Sequence, residues 1–395
     1  MERAGTAGAE VEGGRVIEIL QELVRIPSIN PGFPGGMGEQ AVGEYVKRFF
    51  RRLDLPCEVQ PVEGSRSNVI GTLPGASPRT LLLEAHMDTV QVQGMGIAPY
   101  GAELKEGKVY GRGACDTKAS LAAMLAAVEA LALGGVRPPL NVQLAAVVDE
   151  EITYRGVSAL AAALKDKAGS YAGAIVGEPT GLELIAAHKG CCRFYVDVQG
   201  ISVHSSNPDL GINAIDKMVD VLGYLREYGR TVYPPLAHPL TGPPTHCVSL
   251  IEGGVAPNTV PGFCRITVDR RTVPGEEPLE VHRAMKKRLE ELQLKDPRLK
   301  LAVSAPFIID YALDTAVEAE VVRHLQSSAQ RLNGQARVLG AAYCSDASKL
   351  ARVGIPAVVF GPGDIGQAHT ADEWVEAGEV IRAADIILDT ILSYS

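Results

Sequence analysis

The chain has 395 residues, 46% of them apolar and 22% charged, with a formal net charge of −9. That length exceeds what one ordinary hydrophobic core organises and predicts two or three domains. No stretch approaches the roughly 20 uninterrupted apolar residues of a membrane span, and an acidic balance without a long basic block argues against nucleic acid as a partner. Seven cysteines scattered without a CxxC pair argue against a disulfide framework and a thiolate zinc cluster. The segment from Met1 to Gly14 lacks the apolar core of a secretory signal, so the expected location is the cytoplasm.

In chain order, Gly14 to Val24 reads as a helix with Val16, Leu20, Leu23 and Val24 on its apolar stripe, ended by Arg25-Ile26-Pro27-Ser28-Ile29-Asn30-Pro31. A second helix covers Glu39 to Leu53, and strands follow at Cys57 to Val62 and Asn68 to Leu73. The run Leu81-Leu82-Leu83-Glu84-Ala85-His86 reads as a buried strand of a parallel sheet, ending in His86-Met87-Asp88. Two apart on an extended chain, His86 and Asp88 lie on one side, as a metal ligand and a carboxylate that orients it. Asp116 opens an alanine-rich helix that stops at Gly134-Gly135; read alone, it is a helix cap.

Three further strands end in polar residues. Asn141 to Val148 leads to Asp149-Glu150-Glu151, Ala172 to Val176 to Gly177-Glu178, and Ile355 to Phe360, through glycines, to His369. In open α/β sheets ligands bind beyond the carboxyl ends of the strands, so these termini point to one site. Between Lys189 and Pro306 the order is strand 192–200, helix 212–228, strands 246–253 and 262–270, helix 276–293 and strand 299–304. That is the β-α-β-β-α-β order of a ferredoxin-like unit. The expected organisation is an α/β domain over 1–188 and 307–395, interrupted by an α+β domain over 189–306. The last part supplies a helix at 315–332 and another at 371–393, where Thr370-Ala371-Asp372-Glu373 reads as a capping box that holds His369.

His86, Asp88, Asp116, Glu150, Glu151, Glu178 and His369 form a nitrogen and oxygen donor set without thiolate, suited to divalent zinc, cobalt or manganese, zinc first. One catalytic zinc needs about three protein ligands, and this set has enough for two ions with a bridging carboxylate.

Leu23-Val24-Arg25-Ile26-Pro27-Ser28, His86-Met87-Asp88-Thr89-Val90, Gly111-Arg112-Gly113-Ala114-Cys115-Asp116-Thr117-Lys118, Asp149-Glu150-Glu151, Gly177-Glu178-Pro179-Thr180 and Ala368-His369-Thr370 together resemble one family over nearly the whole chain. It is the acetylornithine deacetylase, succinyl-diaminopimelate desuccinylase, aminoacylase and glutamate carboxypeptidase family of dinuclear metallo-aminohydrolases. The resemblance implies a zinc-exopeptidase-like α/β fold, a central mixed sheet flanked by helices, with the inserted ferredoxin-like domain acting as lid and dimerisation element. It implies that Asp116 bridges two ions, with His86 and Glu178 completing one site and Glu151 and His369 the other. Glu150 is then the general base acting on a metal-activated water, and Asp88 supports His86.

The segment Gly200-Ile201-Ser202-Val203-His204-Ser205-Ser206 resembles the family's lid, whose histidine stabilises the oxyanion and in dimeric members comes from the partner subunit. Asn258 and Arg271 fall where the family binds the substrate carboxylate, with Ser345 and Asp346 as further candidates for that pocket. The implied activity is hydrolysis of the amide bond of an N-acyl amino acid by a homodimer. The alternatives are a metallo-di- or exopeptidase of the same family acting on a dipeptide and, more remotely, a silent metal-containing binding protein.

Overall fold

A computed structural model describes residues 8–394. The described chain divides into two compact units, the first running to Ala186 with Thr315–Leu339 and the segment from Ser345 onward, the second comprising Ala187–Asp314 and Gly340–Cys344. Among the described residues, no helix is long and apolar enough to cross a membrane.

A mixed sheet forms the first unit's centre. Its neighbours are, in order, Cys57–Glu63, Arg66–Leu73, Leu140–Val147, Ser77–His86, Tyr171–Val176 and Ala357–Val359. The first two strands make an antiparallel hairpin, and Arg66–Leu73 also runs antiparallel to Leu140–Val147. The next four are mutually parallel. Their register pairs His86 with Val147 and Glu84 with Val176, so the residues just beyond these strands emerge along one edge. A parallel ladder thus gathers residues far apart in sequence at the sheet's carboxyl end.

The Ser77–His86 strand is buried throughout from Leu81 to His86. Leu81, Leu83 and Ala85 join a core that includes Leu121, Met124, Leu125 and Val128 of the Lys118–Leu133 helix, Leu20 and Leu23 of Gly13–Val24, and Ile387 and Ile391 of Ala377–Ser393. Leu82, Glu84 and His86 alternate onto the other face. The Lys118–Leu133 helix is apolar nearly all round and correspondingly buried. Its start lies close against the end of Tyr171–Val176: Thr117 Oγ1 donates to the Gly177 carbonyl at 3.1 Å, and a Cβ on Gly177 would stand 2.6 Å from Ser120 Cβ. Glycine at this position lets Asp116 and Glu178 approach one another.

Two expectations are corrected. The helix starting at Asp116 begins at Lys118, after Thr117, and the Asp116 carboxylate is no cap. The last helix covers Ala377–Ser393, preceded by a short strand, Trp374–Glu376, that pairs with Lys108–Tyr110. Thr370 to Glu373 is therefore no capping box, because the Glu373 side chain is engaged elsewhere.

The second unit is built on an antiparallel sheet ordered Thr245–Gly253, Phe263–Thr272, Gly190–Gln199, Lys300–Val303, with Ile308–Asp310 also on Gly190–Gln199. Helices Ala214–Val232 and Pro278–Lys295 pack on it through Met218, Val221, Leu225, Met285 and Leu289 against Phe194, Val196, Val198, Ile266 and Val268. Asn213 caps the first of these helices, accepting from the Ile215 and Asp216 amides.

Candidate metal centre

At the carboxyl edge of the first unit's sheet, Asp116 stands between two imidazoles. His86 Nε2 lies 3.1 Å from Asp116 Oδ1, and His369 Nε2 lies 3.2 Å from Asp116 Oδ2. Glu178 Oε1 is 3.8 Å from His86 Nε2, and Glu151 Oε2 is 3.1 Å from His369 Nε2. Donor atoms of His86, Asp116 and Glu151 lie within 4.8 Å of one another, as do those of His86, Glu150 and Glu178. Three strand ends, the start of one helix and the loop carrying His369 thus bring six of the anticipated residues together. Asp149 and His369 adopt left-handed backbone angles, φ 70° and 63°, a conformation that non-glycine residues hold only where surrounding contacts fix it.

His86 Nδ1 donates to the Asp88 main-chain oxygen at 3.0 Å, which keeps a proton on Nδ1 and directs Nε2 toward the carboxylates; the Asp88 carboxylate is farther, at 3.6 Å. That carboxylate instead accepts from Asn30 Nδ2 at 2.7 Å and from the amides of Glu150 and Glu151 at 3.1 and 3.2 Å. Asp88 therefore fixes the loop that carries the two glutamates as well as the imidazole beside it. Asp149, the third acid of the run, turns away and accepts from Asn30 and Arg66, both at 2.9 Å.

The electrostatics are those of a site built around cations. Burial alone would lower His86, but Asp116 and Asp88 outweigh it and hold the imidazole well above its usual range. For Asp116, burial is overcome by His369 and His86, which keep its carboxyl well below the usual value. Burial and then repulsion from a neighbouring carboxylate push up Glu150 and Glu178, with Glu178 repelling Glu150 and Asp116 repelling Glu178. Glu151 is raised to about 7 by burial and Asp116, while hydrogen bonds to Asp116 and Glu151 raise His369 to about 10. Crowded buried acids of this kind are offset by divalent cations, and the oxygen and imidazole donors fit zinc, cobalt or manganese.

Other residues enter that the chain's local patterns do not announce. Glu84, inside the central strand, is fully buried and faces Asp346; burial and Asp346 push it well above its ordinary range, and burial raises Asp346 to about 6. Ser345 is likewise buried, its Oγ accepting from the Ala347 amide at 3.3 Å. Glu373 accepts from the amides of Cys115 and Asp116 at 2.8 and 3.0 Å and from Arg112 at 2.6 Å. In the second unit His204 is exposed, its Nδ1 2.8 Å from Ser206 Oγ, and its backbone forms an isolated bridge with Thr259, beside Asn258. There Arg271 donates to Asp269 at 3.1 Å and lies 3.6 Å from Cys344 Sγ.

Residues 82–393 match the profile of peptidase family M20/M25/M40. The chain belongs to this family. It is a family of metallohydrolases, and the donor cluster is the chain's candidate dinuclear centre. Similar curated proteins include the acetylornithine deacetylase of Myxococcus xanthus, 33% identical over 322 residues covering 81% of each chain. That of Photorhabdus laumondii is 31% identical over 384 residues, 95% of this chain and 96% of the relative. Among solved structures, an aminopeptidase from Bacillus cereus superposes with a TM-score of 0.78 at 21% identity, covering 96% of this chain and 98% of that one. Human carnosine dipeptidase 1 gives 0.74 at 16% identity with 96% of each chain covered. These likenesses bear out the mixed α/β fold and a family function of deacylase or peptidase type.

Proposed function

We propose that the protein is a deacylase that hydrolyses the amide bond of an N-acyl amino acid in the cytoplasm. The observation that carries this is the donor cluster around Asp116 with Glu150 as an additional half-buried acid beside it. In the proposed assignment His86 and Glu178 would hold one ion, Glu151 and His369 the other, with Asp116 shared between them; zinc is the first choice, with cobalt or manganese able to take its place. Ions held there would supply Lewis-acid polarisation of the scissile carbonyl and a more acidic water. Glu150 takes the proton from the attacking water and returns it to the leaving nitrogen. Asp88 holds His86 and the Glu150 loop in place.

His204 is assigned to the oxyanion, and Asn258 and Arg271 to the substrate's carboxylate, for which a guanidinium offers two parallel hydrogen bonds. Ser345 and Asp346 are assigned as further substrate-binding candidates. The inserted domain, 189–306 in the proposed division, is the lid and the dimer contact. In support, Thr245–Gly253 ends the second unit's sheet with Leu250 and Ile251 60% and 56% exposed, an apolar strand edge of the kind that pairs with another chain.

The deacylase reading rests on relatives named acetylornithine deacetylase at 30% identity or more; the peptidase alternative rests on more distant structures. The test is to assay zinc- and manganese-loaded protein against acetyl, succinyl, formyl and carbamoyl amino acids beside dipeptides. Release of a free amine from one acyl class, abolished by chelation, is expected. Hydrolysis of dipeptides alone would establish the peptidase, and silence across the whole panel a binding protein.

A further inference from the structure

Two ligands of the centre sit on segments stitched together by residues that are not ligands. The Glu373 carboxylate is fully buried and has three donors: one oxygen accepts the amides of Cys115 and Asp116, the other accepts Arg112. Arg112, also buried, extends the connection, since its Nε donates to the Gln91 carbonyl at 3.1 Å and another nitrogen donates to the Thr370 carbonyl at 3.2 Å. The Gly111 amide donates to the Glu373 carbonyl at 3.0 Å, and Trp374–Glu376 pairs with Lys108–Tyr110 directly alongside. The chain entering Asp116 is thus held at its amide, and the chain leaving His369 at its next carbonyl, by one ion pair.

Such a pair is expensive to bury unless every lone pair and proton finds a partner, and breaking one side leaves an uncompensated charge. Here the placement serves a purpose beyond packing. A bridging carboxylate must present one oxygen to each ion, so the span from Asp116 to His369 has to be held from behind.

We propose that Arg112 and Glu373 are positioning residues that set the Asp116–His369 span and thereby the affinity of the ion held by His369 and Glu151, rather than the ion held by His86 and Glu178. The difference follows from the architecture. His86 and Glu178 project from strand ends fixed by the parallel ladder, whereas His369 lies on a loop tied to the Asp116 segment by the Arg112–Glu373 pair, with the 3.4 Å contact of Cys115 Sγ to the Asp364 carbonyl as a weaker second link. This proposal rests on the dinuclear assignment above.

The test titrates metal-depleted full-length protein with Mn²⁺ alone, following stepwise affinity by calorimetry and the spin-coupled Mn pair by electron paramagnetic resonance. Wild type should bind two ions with a coupled signal. Glu373→Gln keeps an acceptor for the two amides but loses the charge facing Arg112; Arg112→Lys keeps the charge but loses the fork that reaches two carbonyls. Both variants should bind the first ion as wild type does, bind the second about 10- to 100-fold more weakly, and lose the coupled signal. Unchanged binding of both ions, or parallel weakening of both, overturns the proposal while leaving the dinuclear reading in place. Fewer than two ions on wild type overturns that reading and this proposal with it. If Glu373→Gln does not fold, Arg112→Lys decides by the same criteria.

Discussion

Oδ2 of Asp116 lies 3.2 Å from Nε2 of His369, while the other oxygen of the same carboxylate is 3.1 Å from His86. In the proposed assignment this one side chain serves both halves of the centre, and the two imidazoles beside it test that assignment by mutation. His369→Ala should leave one tightly held ion per chain, because His86, Asp116 and Glu178 remain. Asp116→Ala should weaken both ions by more than the roughly 10- to 100-fold typical of losing a supporting residue. Metal content after gel filtration, measured by atomic emission, checks both; equal loss in the two variants contradicts the bridging assignment.

Glu150 sits close enough to His86 and Glu178 to act as a ligand, whereas the proposed assignment gives the second ion to Asp116, Glu151 and His369 and leaves Glu150 free. The two roles differ in what Glu150→Ala does. As a general base, its loss should lower turnover about 10²- to 10⁴-fold with metal content unchanged. Steady-state rates alongside metal analysis decide, and a drop in metal content that matches the drop in rate assigns Glu150 to the metal instead.

How much of this centre is legible in the sequence depends on whether a residue's role is announced by its own neighbourhood. His86, Glu150, Glu151 and Glu178 follow apolar runs that read as buried strands, and a parallel sheet necessarily places such positions along one edge. Glu373 misleads because Thr-x-x-Glu before an apolar stretch is a helix-start pattern, whereas its carboxylate meets amides some 258 positions earlier in the chain. Glu84 is hidden inside the strand, since periodicity says which face it occupies but nothing about Asp346 opposite. Asn30 reads as part of a proline turn, and its two amide hydrogens reveal their purpose only once Asp88 and Asp149 are folded against it.

That last contact carries a stability prediction. Asn30 is fully buried and Nδ2 donates to Asp88 at 2.7 Å and to Asp149 at 2.9 Å. Removing it leaves two buried carboxylates each short of a donor, although Arg66 still reaches Asp149. Hydrogen bonds to charged groups contribute about 1.5–3 kcal/mol, so Asn30→Ala should destabilise the protein by an amount of that order. Asn30→Asp should cost more, because it adds a third acid to the pair. Urea unfolding of the three proteins tests the ranking; an Asp variant as stable as wild type contradicts it.

The pH dependence of the metal-free protein has a defined sign. Hydrogen bonds to Asp116 and Glu151 raise His369 from its ordinary 6.5 to about 10, so the stability contributed by its proton is fully present below about pH 6.5 and is lost as pH rises through about 10. Asp116 moves the other way: its carboxyl is held low, so its contribution is present above about pH 4 and is lost only in acid. Between pH 7 and 10 the metal-free melting temperature should therefore carry a falling component that His369→Gln lacks. Metal binding needs the unprotonated Nε2, so Zn²⁺ affinity should rise with pH over the same interval as protons cease to compete. Thermal melts of wild type and His369→Gln, with and without metal, measure both effects. The same alkaline slope in the two metal-free proteins would assign the titration to another group.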